Sequence, residues 1–218
     1  LFYEKMINYP LILAFLFSVS FNSYSQDSDF MDLIIDQQID VDHANIFERI
    51  LIQDDGGRIK PISTLAAEYV RKMSRKNSLF GNSSSQILLG MMANPEIWSQ
   101  APMIKVSHPE IKLLFETDAD RIPFSSFFNE DDEYILSDLV REAYLVTPSS
   151  RGSFHKDVIQ IDERAHIAYS ILNTIYHEST LKMFPIKEDQ NNTWDYHIHQ
   201  LPDSLQHFSM INAYLSSV

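Results

Sequence analysis

Two histidine arrangements have spacings that bear on chemistry. In His197-Ile198-His199 an extended backbone would turn both imidazoles to one side, with Asp195 or His207 available as a third ligand. Such a set resembles zinc ligation and would support a metal-dependent hydrolase. The competing reading is a pair of surface histidines. His155, His166 and His177 recur every eleven residues, which returns them to nearly one face of a helix. Neighbours are then about 16 Å apart along the axis, too far for a shared metal. Glu163, one turn before His166, is the expected local partner of that imidazole.

Other reactive types lack companions. Asp54-Asp55-Gly56-Gly57 has the glycines of a phosphate loop, but Arg58-Ile59-Lys60-Pro61 separates them from the next helix start. Helix amides therefore cannot wrap the same anion, and the expectation is a hairpin turn. Glu130-Asp131-Asp132-Glu133 lacks the alternating ligands and central glycine of a calcium loop, so a solvated turn is expected. No serine stands in a nucleophile elbow. There is no cysteine, which removes thiolate catalysis, disulfides and cysteine-based zinc sites. Trp98 and Trp194 are expected to be buried rather than exposed contacts. No catalytic constellation emerges.

Charge is the more distinctive feature. The net charge is -13, which argues against nucleic-acid partners. Yet Arg58, Lys60, Arg71, Lys72, Arg75 and Lys76 stand in one window with the single acid Glu68, a local +5. These six form a candidate docking surface for an anionic partner. The alternative is a solvated helix end whose cations favour the C-terminal dipole.

The elements that must position these residues read as mainly α with a few short strands, an α+β arrangement. Apolar residues make up 44% of the chain, enough for a substantial core. The first segment, residues 1–26, holds the apolar run Leu11 to Phe21 and is expected to be a membrane helix or a signal-like segment, with a buried core helix as the alternative. Residues 27–42 read as a tether or short helix. Residues 43–218 form the expected domain, which is expected to continue beyond its C-terminus.

Within that domain, two β-leaning runs form a small hairpin near residues 49–62. Ser63 or Thr64 is expected to cap the following helix, whose apolar face is Leu65, Ala66, Tyr69, Val70 and Met73. A second helix starts near Ser85, with Ile87, Leu88, Met91 and Met92 inward. Met103 to Val106 is strand-like, His108-Pro109 opens a short helix, and Ser137 is expected to cap another. Thr147 to Gly152 reads as an internal linker. Phe154, Val158, Ile161, Ala165, Ala168, Leu172 and Ile175 recur at alternating spacings of four and three, which predicts a long helix. Leu181 to Ile186 reads as a short strand, residues 187–196 as a polar loop, and Ser204 to Leu215 as an amphipathic helix.

The stretch His43 to Phe80, centred on Gly57-Arg58-Ile59-Lys60-Pro61, resembles a recurring block of the fused ResB/CcsA-type, or system II, cytochrome c biogenesis proteins. Ile87 to Phe115, Phe124 to Leu136 and Ile161 to Ile186 resemble later blocks in the same order. The resemblance covers about residues 43–194 and places the chain in the extracytoplasmic region preceding the CcsA-like membrane part. It implies a periplasmic, membrane-anchored location and an accessory role in cytochrome c maturation. Haem is implied as cofactor of the full-length family, which acts in covalent haem attachment. The implied partners are membrane parts of the same protein, with apocytochrome c and lipid headgroups as further candidates. The family's Trp-Trp-Asp segment is missing here, so no haem ligand is carried to any residue. A secreted adaptor domain without haem chemistry is the rival from another class.

Overall fold

The computed structural model describes residues 32–35, 37–54, 56–173, 181–186 and 189–195. The chain divides into two compact units, residues 1–38 and 39–218. In the first, residues 32–35 form a helical turn extended by a hydrogen bond from the Gln37 amide to the Leu33 carbonyl. The expected N-terminal apolar segment and the expected helix at Ser204 to Leu215 lie outside the described residues.

The second unit opens with α1 (Val41–Phe47), capped by the Asp40 carboxylate, which accepts from the amides of Asp42 and His43. The expected hairpin follows as β1 (Leu51–Gln53) and β2 (Ile59–Pro61), antiparallel with Gln53 opposite Ile59. Pro61 ends the ladder and is itself the N-cap of α2 (Ile62–Ser74). Ser63 and Thr64 are therefore not caps; they lie in the first helical turn. The fixed φ of Pro61 and its missing N–H serve the helix entrance instead of a hydroxyl. Leu65, Ala66, Val70 and Met73 are buried as expected.

A two-residue pairing of β3 (Ser78–Leu79) with β4 (Asn82–Ser83) leads into α3 (Ser84–Ala93). A capping box starts α3: the Ser83 hydroxyl accepts from the Gln86 amide, and the Gln86 side chain accepts from the Ser83 amide. Every residue from Ser85 to Met92 is buried, so this helix is enclosed on all sides rather than on one face. The polar side chains it buries are satisfied. Gln86 donates to the Ile39 carbonyl at 2.7 Å, and the Ser85 hydroxyl donates to Glu48 at 2.8 Å.

Next come α4 (Pro95–Ser99), β5 (Pro102–Lys105), α5 (Pro109–Leu114) and β6 (Arg121–Pro123), with β5 and β6 antiparallel. A 3-10 turn over Phe124–Phe127 precedes α6 (Ser137–Leu145). Ser137 does not cap α6: Leu136 is the boundary residue, and the Ser137 hydroxyl donates to the Tyr134 carbonyl. Thr147 to Gly152 joins α6 to the next helix, as a linker would, and it has structure of its own. Pro148–Ser150 forms a 3-10 turn, and the Arg151 guanidinium donates to the carbonyls of Ala143 and Val146. These bonds tie the end of α6 to the start of α7 (Ser153–Leu172).

The long helix α7 organises the unit. It packs against α2, α3, α4, α6 and β5, and Val158, Ile161, Ala165, Ala168 and Leu172 are buried as the four-three spacing predicts. The last described pairing joins β7 (Phe184–Pro185) to β8 (Trp194–Asp195), so the end of the expected polar loop is a strand. Buried Gln53 stitches this hairpin to the first. Its side chain donates to the carbonyls of Gly57 and Asn192 and accepts from the Trp194 amide at 2.7 Å.

Candidate functional site

Two regions carry side-chain chemistry, and α7 contributes to both. Residues 156, 160 and 164 fall on one side of this helix, whereas 162, 166 and 169 fall on the opposite side, given about 100° of rotation per residue.

The first region contains the six cations singled out in the sequence. The structure does not treat them alike. Arg58 and Lys60 belong to the hairpin and are engaged there. The Asp54 carboxylate accepts from the backbone amides of Gly56 and Arg58, each at 3.0 Å, and from the Arg58 guanidinium. The Lys60 ammonium lies 2.6 Å from Glu68 and 3.6 Å from Asp54. The Arg58 backbone N–H, with its guanidinium, holds the Asp54 carboxyl below its usual range. The Gly-Gly turn is thus filled by its own carboxylate, and Gly57 supplies the positive φ of 77° that the turn requires. These contacts give the turn amides of Gly56 and Arg58 an internal acceptor, in keeping with a hairpin turn.

Arg71, Lys72, Arg75 and Lys76 are exposed at the end of α2. Arg71 donates to Asn77, and Arg75 occupies the left-handed C-cap with φ 61°. Two further arginines, unremarked in the sequence, join this end. Arg121 donates twice to the Ser74 carbonyl, at 3.0 and 2.9 Å, satisfying the helix terminus. Arg164, from α7, is buried and donates to the Lys105 carbonyl and to Gln160. The Gln160 amide oxygen accepts from Arg75 and Arg164 together, at 3.3 and 3.1 Å. Burial, followed by the charge of Arg75, lowers the Arg164 pKa. Only tertiary packing could reveal this convergence, because residues 75, 121 and 164 are far apart in sequence.

The second region is an aromatic cleft of about 330 Å³, lined by Phe124, Phe128, Tyr134, Ala165, His166 and Tyr169. The 3-10 turn supplies Phe124, and an antiparallel bridge holds Phe128 opposite Tyr134. The rings of Phe124 and Phe128 meet edge to face at 5.2 Å, and Phe127 stacks beneath Tyr134 at 6.2 Å. Behind the rings, the Tyr134 hydroxyl donates to Asp162 at 3.0 Å. Burial, reinforced by the Asp162 charge, pushes the Tyr134 pKa strongly upward, so this phenol stays a proton donor.

His166 stands at the mouth of the cleft. Its Nδ1 lies 3.1 Å from the Asp162 carbonyl and 3.5 Å from the Asp162 carboxylate. Its partner is therefore Asp162 at i−4, not Glu163 at i−3. Glu163 is exposed, while Asp162 is buried behind Tyr134. Phe124 and Phe128 stand close together in the sequence, but nothing local placed Asp162, His166 and Tyr169 against them.

His155 is half-buried, with an Nδ1 that is enclosed and has no hydrogen-bond partner among the described residues. Among the described residues, no group of three histidines or acids is placed to hold a metal ion. His177, His197, His199 and His207 lie outside the described residues. Trp98 is buried as expected, against Gly90, and Trp194 is half-buried in β8. The acids Glu130, Asp131, Asp132 and Glu133 form an exposed turn, in which the Asn129 side chain accepts from the amides of Asp131 and Glu133. Among the described residues, no helix is long and apolar enough to cross a membrane.

No family model matches the chain. A comparison with curated proteins finds Protein NrfI of Wolinella succinogenes 35% identical over 149 residues. The matched span is 68% of this chain but 16% of that protein. The chain is a homologue of Protein NrfI over this span.

Proposed function

We propose that this chain is an accessory extracytoplasmic part of a membrane assembly for cytochrome c maturation, of the fused ResB/CcsA type. In this reading it acts structurally or by docking rather than as the site of covalent haem attachment. The single observation that carries the reading is the 35% identity to Protein NrfI. The ordered blocks from His43 to Ile186, which resemble system II proteins, support the same assignment. Haem then belongs to the full-length assembly. No residue of this chain is assigned to haem.

The exposed end of α2 is the proposed docking surface. Arg71 and Lys72 project from the last turn of α2, Arg75 from its C-cap and Lys76 from just beyond, and this end is held by Arg121 and by the apolar face of the helix. Arg58 and Lys60 contribute less, because Asp54 and Glu68 already engage them. The partner proposed for this surface is an acidic patch on the membrane parts of the same protein, with apocytochrome c and lipid headgroups as alternatives. Arg71, Lys72, Arg75 and Lys76 should be changed together to Gln in the full-length protein within cells. Haem staining of mature cytochrome c should fall several-fold while the level of the variant protein is maintained. Unchanged maturation would remove the docking role.

A further inference from the structure

We propose that the aromatic cleft binds a cationic side chain, a lysine or arginine presented by an extended, basic segment of a partner polypeptide. The inference stands on the cleft itself and does not rest on the cytochrome c reading.

Three layers of the site favour positive charge. The walls come first. Phe124, Phe128, Tyr134 and Tyr169 line one concavity, and aromatic faces are the negative part of the ring quadrupole. The carboxylate behind the wall is next. Asp162 is 6% exposed, and its carboxylate is held by the Tyr134 hydroxyl at 3.0 Å and faced by the His166 Nδ1 at 3.5 Å. Among the described residues, no lysine or arginine forms an ion pair with it. A buried carboxylate without a permanent cation attracts one.

The rim is the third layer. Phe128 and Tyr134 line the cleft, and the turn that joins them carries Glu130, Asp131, Asp132 and Glu133. These four side chains are exposed, and Asn129 fixes the turn through hydrogen bonds to two of its amides and to the Glu133 carboxylate. An anionic ligand would meet repulsion from the rim and from the carboxylate behind the wall.

The rim also decides the size of the ligand. One ammonium or guanidinium would satisfy the cleft, but four further carboxylates stand beside it. A polypeptide with several neighbouring cations matches both features, with one side chain in the cleft and others along the turn. A lysine or arginine stem would lie against the phenylalanine rings while its charged head reaches the acids.

The test uses the whole 218-residue chain and a fluorescent peptide that alternates lysine with alanine, with an alternating glutamate–alanine peptide as control. The lysine peptide should bind and the glutamate peptide should not. Tyr169→Ala leaves the net charge unchanged and removes an exposed ring; it should weaken binding about fivefold through lost cation–π attraction. Glu130→Gln with Asp131→Asn and Asp132→Asn changes only exposed residues and should weaken it about tenfold. Circular dichroism confirms that each variant is folded. Unchanged binding by the Tyr169 variant would mean general attraction to an acidic protein and would overturn the proposal. So would an unaffected turn variant, or a lysine peptide that does not bind.

Discussion

The two sides of α7 solve opposite electrostatic problems. On one side, Arg164 is buried beside Arg75, and the oxygen of Gln160 accepts from both. On the other, Asp162 is buried beneath aromatic rings and held by a phenol. Each side thus buries a charge of one sign and holds it with a neutral hydrogen-bonding group. A buried charge held in this way keeps its field available to a partner, whereas a tight ion pair would cancel most of it. The hairpin illustrates the second outcome. Asp54 and Glu68 engage Arg58 and Lys60 directly, and that corner has little unbalanced charge to offer.

The largest expected effect should abolish the comparison altogether. Gly90 in α3 faces Trp98 of α4 so closely that a Cβ would lie 2.7 Å from the indole. Both helices pack on α7. Gly90→Ala should cost about 3 kcal/mol by overpacking, measured by urea denaturation, and should weaken both sides of α7 together. A cost below about 1 kcal/mol would show that Trp98 can move aside.

Separating the sides requires smaller changes. Asp162→Ala removes the acceptor of the buried Tyr134 hydroxyl and should cost about 2 kcal/mol. Lysine-peptide binding should fall, and the basic end of α2 should be untouched. Arg75→Gly is the converse change. It places glycine at a left-handed C-cap, so stability should rise by up to about 1 kcal/mol even as docking weakens. If Arg75→Gly destabilises the protein instead, the Gln160 bridge matters more to folding than its exposure suggests.

The finest contrast is in pH. Hydrogen bonds from Lys105 and Lys112 hold the Asp120 carboxyl far below its usual range. Its folded-state pKa is depressed, so its contribution is complete above about pH 4 and is lost as pH falls further. Tyr134 behaves oppositely. Its folded-state pKa is raised, so its contribution is complete below about pH 10 and is lost as pH rises above that. Asp120→Asn should flatten the acid limb of a stability–pH profile, and Tyr134→Phe the alkaline limb. Identical profiles for the two variants would erase the distinction. The acid effect should be modest, because Asp120 is largely exposed and screened by solvent.

Much of the architecture was legible because it depends on local periodicity. Alternating four-three spacing gave α7, and the Asp-Gly-Gly turn gave the first hairpin. The caps were less legible. Ser63 and Ser137 have the right chemistry, but Pro61 and Leu136 mark the boundaries. Tertiary packing sets where the chain leaves the helical geometry, and a nearby hydroxyl cannot override it. The pairing of His166 shows the same limit, since i−3 and i−4 are both within reach on a helix and burial chose Asp162 over Glu163.

What the sequence determined by itself is the longer helices with the first hairpin, and the collection of positive charge between Arg58 and Lys76. Both follow from residues close together in the chain. What only the tertiary structure decided is which charges remain available. Asp54 and Glu68 engage two of the six cations, Arg164 arrives from far along the chain, and Phe124 meets Tyr169 across the cleft. Electrostatic and aromatic contacts act through space, and their partners are fixed only when the core brings distant segments together.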